Sequence, residues 1–160
     1  MKFFSFVDPL VARWMAKHGI NFLRYSVGLI FIWFGGLKFI PELSPAEHLA
    51  LSTIEVLTFN LIPAHISLLF LALFEVMIGF LLISGKFLRL TIFLLLVQMG
   101  GTMSPIFIFP DLVFAQIPFV LTIEGQYIFK NFVVISAALV IGATVRGGRL
   151  TSEPQQLQPG

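Results

Sequence analysis

AHISLLFLALFEVMIGFLLIS, residues 64–84, is the stretch that decides the fold. A helix needs roughly 20 mostly apolar residues to cross the hydrocarbon core of a bilayer. This segment has that length and only one formal charge, Glu75. Pro63 stands before it and Gly85 after it, a start and a stop for a helix. The reading is a membrane span with an acid at its middle.

Working outward, three more segments have the same character. FLRYSVGLIFIWFGGLKFI, residues 22–40, is stopped by Pro41. FLRLTIFLLLVQMGGTMS, residues 87–104, loses its helix signal around Gly100, Gly101 and Pro105. IFKNFVVISAALVIGATV, residues 128–145, ends before Gly147 and Gly148. The whole chain agrees: 58% of its 160 residues are hydrophobic, 11% are charged, and mean hydropathy is +0.97. An ordinary globular protein carries about 25% charge. A net charge of +2 is too small for a nucleic-acid binder, so no nucleic-acid partner is expected. With no cysteine, the chain has no disulfide, thiolate metal site or thiol chemistry. His18, His48 and His65 have no metal-ligand spacing, and no metal is expected. The fold class is therefore all-α, an integral membrane four-helix bundle in contact with the lipid bilayer. Residues 1–148 form one transmembrane domain, and the polar, Pro-rich residues 149–160 are expected to be a disordered tail.

Two short amphipathic helices are expected besides the spans. From Pro9, the spacing of Leu10, Trp14 and His18 opposite Arg13 and Lys17 suggests one on the membrane surface. Asp8-Pro9 interrupts the apolar N-terminus and no cleavage site follows, so this segment reads as part of the mature protein. In the first outer loop, Ser44-Pro45-Ala46-Glu47 reads as a capping box with proline at the first helical position. The second outer loop, residues 105–126, is apolar but broken by Pro105, Pro110 and Pro118. Irregular backbone at membrane depth survives only inside protein or along a cavity, so this loop is expected to cover the outer mouth of the bundle. Eight of the ten basic residues lie before or at the start of the first span, between the second and third spans or at the start of the third, or after the fourth. Positive residues stay inside, which puts both termini in the cytoplasm.

Glu75 is the most informative residue. An acid at mid-span costs roughly 2.5–3.5 kcal/mol on insertion scales and almost always has a partner or a role. Gln98 lies at a matching depth in the third span, so a Glu75–Gln98 hydrogen bond is expected. The pair reads either as a proton-carrying or ligand-binding site, or as structural glue between helices. Lys38 and Lys130 break the positive-inside pattern at the outer ends of spans one and four, near Trp33, His65, Tyr127 and Glu124. Two lysines under an apolar lid suit an anionic or carbonyl-bearing head group. The alternatives are snorkelling toward lipid phosphates or ion pairs with Glu124 or Glu42. Gly35-Gly36, Gly79 and Gly100-Gly101 are expected to let helices approach closely.

These residues also carry a resemblance. Arg24-Tyr25-Ser26-Val27-Gly28 leading to Trp33-Phe34-Gly35-Gly36-Leu37-Lys38-Phe39 resembles the first helix of DoxX-like membrane proteins, with Gly35 and Lys38 matching a Gly-x-x-Lys ending. Glu75 followed by Gly79 and Gly85 is similar to that family's second helix, and Glu124-Gly125-Gln126-Tyr127-Ile128-Phe129-Lys130-Asn131 to the approach to its last. The related reactive-chlorine-resistance membrane proteins share the flavour of the first motif. The likeness covers roughly residues 20–148 and implies a multi-pass protein of the bacterial inner membrane. Some relatives are described as membrane subunits of thiosulfate–quinone oxidoreductases or as parts of oxidative-stress complexes. A redox role here needs a quinone-like ligand or a partner subunit, because the chain has neither cysteine nor a haem or flavin signature.

Three functions follow as expectations. One is a quinone- or lipid-interacting component of a redox or stress-response membrane complex, with Lys38, Glu75, Gln98, Lys130, Tyr127, Glu124 and Trp33 at the site. Another is a non-enzymatic assembly or chaperone-like protein, packed against partner helices or a second copy. The third is a small proton-coupled transporter with Glu75 as its proton site, although no internal repeat supports it.

Overall fold

The computed structural model of the chain describes residues 2–40, 43–44, 46–148 and 150, with side chains from residue 9 onward apart from Ala64. In chain order the elements are α1 (Lys2–Leu37), α2 (Glu47–Leu57), α3 (Ala64–Ser84), α4 (Leu88–Met103) and α5 (Pro105–Ile108). They continue with α6 (Pro110–Val113), β1 (Phe114–Gln116), β2 (Val120–Leu121) and α7 (Ile123–Thr144). Among the described residues, four helices are long and apolar enough to cross a membrane: Pro9–Leu37, His65–Ser84, Leu88–Ile108 and Ile123–Thr144.

The N-terminal amphipathic helix is not a separate element. It runs without a break into the first span, making α1 36 residues long. About 54 Å of helix exceeds the ~30 Å hydrocarbon depth. Only Gly19 and Asn21 stood at the expected boundary, and a lone glycine in a helix costs about 1 kcal/mol, too little to end one. Aromatic packing carries the helix across that boundary. The Trp14 ring lies 5.3 Å from His18 and 5.7 Å from Phe22, a ladder at four-residue spacing.

α1 and α3 pack antiparallel at very close range. A Cβ added at Gly79 would lie 2.6 Å from the Gly28 carbonyl oxygen, and one at Gly35 would lie 2.9 Å from Glu75 Cβ. Gly28 and Gly35 are seven residues apart and so share a helix face. Gly36, Gly100 and Gly101, expected to do the same work, meet nothing within 4 Å. Gly36 sits about 100° round the helix from Gly35, off the contact.

All four long helices contribute to one core: Phe31 from α1, Ile78 and Leu82 from α3, Leu95 from α4, and Ala138 and Ile141 from α7. Leu82, Leu95 and Ala138 are fully buried. Phe70, Phe80 and Phe93 are exposed on the outer faces of the helices, consistent with contact with lipid.

The loops after α1 and after α4 are more structured than sequence reading suggests. α2 starts at Glu47, with Ala46 as its cap residue in the left-handed region (φ 55°) and no side-chain cap hydrogen bond, so the capping-box reading is not realised. Pro41, Pro45 and the tail from 151 onward lie outside the described residues. After α4 the chain makes two helical turns and then an unexpected antiparallel hairpin, with Phe114 opposite Leu121 and Gln116 opposite Val120. Its turn contains a cis Ile117–Pro118 bond. α7 begins five residues before the expected 128. Thr122 caps it, accepting from the Gly125 amide at 3.0 Å while its hydroxyl donates to the Leu112 carbonyl at 2.7 Å. Gly125 is required there, since a Cβ would collide with the Val113 carbonyl oxygen.

Candidate functional site

The α1–α3 register places Lys38 one residue beyond the end of α1 and level with Glu75, the middle of α3. Gly35 makes this possible, because only a bare backbone lets the turn carrying Lys38 lie against Glu75 and Val76. Lys38 Nζ donates to Glu75 Oε2 at 2.6 Å and to the Phe34 carbonyl at 3.3 Å. The second contact satisfies a carbonyl at the C-terminal end of α1, where a cation is favoured. Across the core, Gln98 Nε2 donates to Glu75 Oε1 at 3.0 Å, as the matching depths suggest. Thr102 Oγ1 donates to the Gln98 carbonyl at 3.0 Å. Lys38 and Glu75 side chains are 11% and 13% exposed and form the only ion pair among the described residues. The direct contact of Lys38 with Glu75 was not among the partners that the sequence reading gave Lys38.

This cluster borders a cavity of about 680 Å³, within the ~300–1,000 Å³ range of small-molecule sites. Phe31, Phe34, Leu71 and Met99 are among its apolar lining, and Tyr127, Lys130 and Asn131 line it from α7. The covering element is α2, which contributes Leu49, Thr53, Ile54 and Leu57. The expectation that residues 105–126 form the lid is corrected: only Pro105 of that segment borders the cavity. The rest of the segment packs behind, where Val113 joins Leu49 of α2 and Ile128 of α7 in a second apolar cluster. α2 wins the covering position because its apolar stripe is presented on a regular helix. The 105–126 segment buries Val113 against Leu49 and Ile128 but leaves Phe107, Ile117 and Phe119 exposed.

The expected site residues divide. Lys38, Glu75 and Gln98 meet directly. Lys130 and Tyr127 line the same cavity, with Lys130 Nζ 5.1 Å from the centre of the Tyr127 ring. Trp33 does not line it and is 65% exposed, lying about 100° round α1 from Phe34. Glu124 is exposed and makes no ion pair with Lys130. Six residues of helix separate the two by about 240° of rotation, which puts them on different faces. Asn131 was missed, although its place one turn after Tyr127 was a readable signal. The α2 wall had no such signal.

The chemical capacity of the cluster follows from its donors. An ammonium has three N–H donors, of which Lys38 uses two on protein. A carboxylate has about four acceptor sites, of which protein occupies two at Glu75. Neighbouring donor and acceptor capacity therefore borders a largely apolar space. No family model matches the chain, and no curated protein or solved structure does so.

Proposed function

We propose that this chain is a multi-pass inner-membrane protein, both termini cytoplasmic, whose four-helix bundle binds a quinone or lipid amphiphile as part of a redox or stress-response membrane complex. The observation that carries the reading is the cavity itself: apolar walls, with the Lys38–Glu75–Gln98 cluster at its polar end. A long apolar tail suits the walls, and a carbonyl head suits the remaining Lys38 donor. The likeness of Gly35, Lys38, Glu75 and Lys130 to DoxX-like motifs supports a place near quinone chemistry. Without cysteine, electrons would be carried by the bound molecule or by a partner subunit.

The test is to purify the full chain in mild detergent, extract it with organic solvent, and identify co-purifying molecules by mass spectrometry. A photoreactive decyl-benzoquinone should label peptides of α2, α4 or α7 and be displaced by excess unlabelled quinone. Glu75→Leu should reduce labelling about tenfold if the polar end positions the head group. No co-purified amphiphile and no saturable labelling would refute the reading.

A further inference from the structure

One cation at this cavity is left without an anion. Of the charged residues that line it, Lys38 and Glu75 neutralise each other, whereas Lys130 has no carboxylate within ion-pair distance among the described residues. Among the described residues its one partner is the face of the Tyr127 ring. Tyr127, Lys130 and Asn131 stand at positions i, i+3 and i+4 of α7, so all three share one helix face. Neither the Tyr127 hydroxyl nor the Asn131 side-chain amide has a hydrogen-bond partner among the described residues, although both residues border the cavity. The face therefore offers an ammonium, a hydroxyl donor and an amide donor with no acceptor among the described residues.

Lys130 is exposed at the cavity's rim, and an ammonium at the edge of an apolar space in a bilayer favours a counter-charge beside it. Glu124, the nearest acid along α7, is on another face and exposed. Glu75 is already taken by Lys38 and Gln98. Among the described residues no acid fills that place, and an occupant with an anionic head would.

We propose that the cavity selects an amphiphile with an anionic head, a carboxylate or a phosphate, held by Lys130, Tyr127 and Asn131. This inference rests on the reading of the cavity as an amphiphile site and narrows it to one class of head group. An ammonium supplies the charge, and the two neutral donors complete an oxyanion's hydrogen bonds. The tail occupies the apolar space between α2 and the long helices.

The full chain is reconstituted in nanodiscs of neutral phosphatidylcholine, so that no anionic lipid competes. Displacement of photoreactive decyl-benzoquinone is then measured with oleate, oleoyl lysophosphatidate and oleyl alcohol, which share one tail. Oleate, lysophosphatidate or both should bind at least about fivefold more tightly than the alcohol, and which of them does so tells carboxylate from phosphate. Lys130→Gln should remove that preference while leaving the alcohol within about twofold of wild type, and Lys130→Arg should keep it. Thermal melting of each variant separates lost recognition from lost folding. Equal binding of charged and neutral probes, or an unchanged preference in a folded Lys130→Gln protein, overturns this inference and leaves the broader reading standing. Failure of the quinone and of all three probes to bind overturns both.

Discussion

At the scale of the residue, Glu75 is held by two groups from opposite directions, Lys38 from the end of α1 and Gln98 from the middle of α4. Breaking a buried pair by removing one partner costs about 3–5 kcal/mol, because the other charge is left alone. Lys38→Met should therefore lower the melting temperature of the purified protein sharply. The double variant Lys38→Met with Glu75→Gln should recover most of the loss, since no charge remains buried unpaired. A double variant no more stable than the single one would show that the pair does not set stability. Gly79 gives a steric counterpart. Its α-carbon faces the Gly28 carbonyl so closely that Gly79→Ala should cost about 1–3 kcal/mol by forcing α1 and α3 apart. Ala at Gly100, where a Cβ meets nothing, should leave the melting temperature nearly unchanged.

At the scale of the element, α2 is the part most open to adjustment. It covers the cavity through apolar contacts and is joined at each end through left-handed residues, Ala46 at φ 55° before it and Phe59 and Asn60 at φ 53° and 57° after it. Non-glycine residues in that region are held by their surroundings. Leu49 supplies the hold, buried against Val113 and Ile128. Truncation of a buried leucine costs about 2–5 kcal/mol. Leu49→Ala should therefore speed amide hydrogen exchange in α2 far more than in the middle of α3. Uniform acceleration across both helices would mean that α2 is not a separately held cover.

At the scale of the whole molecule, topology is the quantity to measure. The chain lacks cysteine, so single cysteines can be introduced without background. With both termini cytoplasmic, a cysteine at Gln116, exposed in the hairpin, should react with a membrane-impermeant thiol reagent in intact cells. One at Ser152 in the C-terminal tail should react only after lysis. The opposite pattern would invert the molecule and place the cavity near the cytoplasmic face.

The sequence by itself determined the membrane class, the number of long apolar helices and the meeting of Glu75 with Gln98. Each is a matter of one-dimensional spacing: span length fixes crossing, and residue count along a helix fixes depth. The ends of α3 at Pro63 and Gly85 were legible for the same reason, because backbone restrictions act locally. Only the tertiary structure decided that Lys38 meets Glu75, that α2 rather than residues 105–126 covers the cavity, and that Trp33 and Glu124 lie outside it. Those outcomes depend on the rotation of each helix about its own axis and on its register against a neighbour. The steric fit of Gly28, Gly35 and Gly79 sets them between α1 and α3. Glycines at Gly36 and Gly100 look identical in sequence, and only the packed partner distinguishes a contact from an open face.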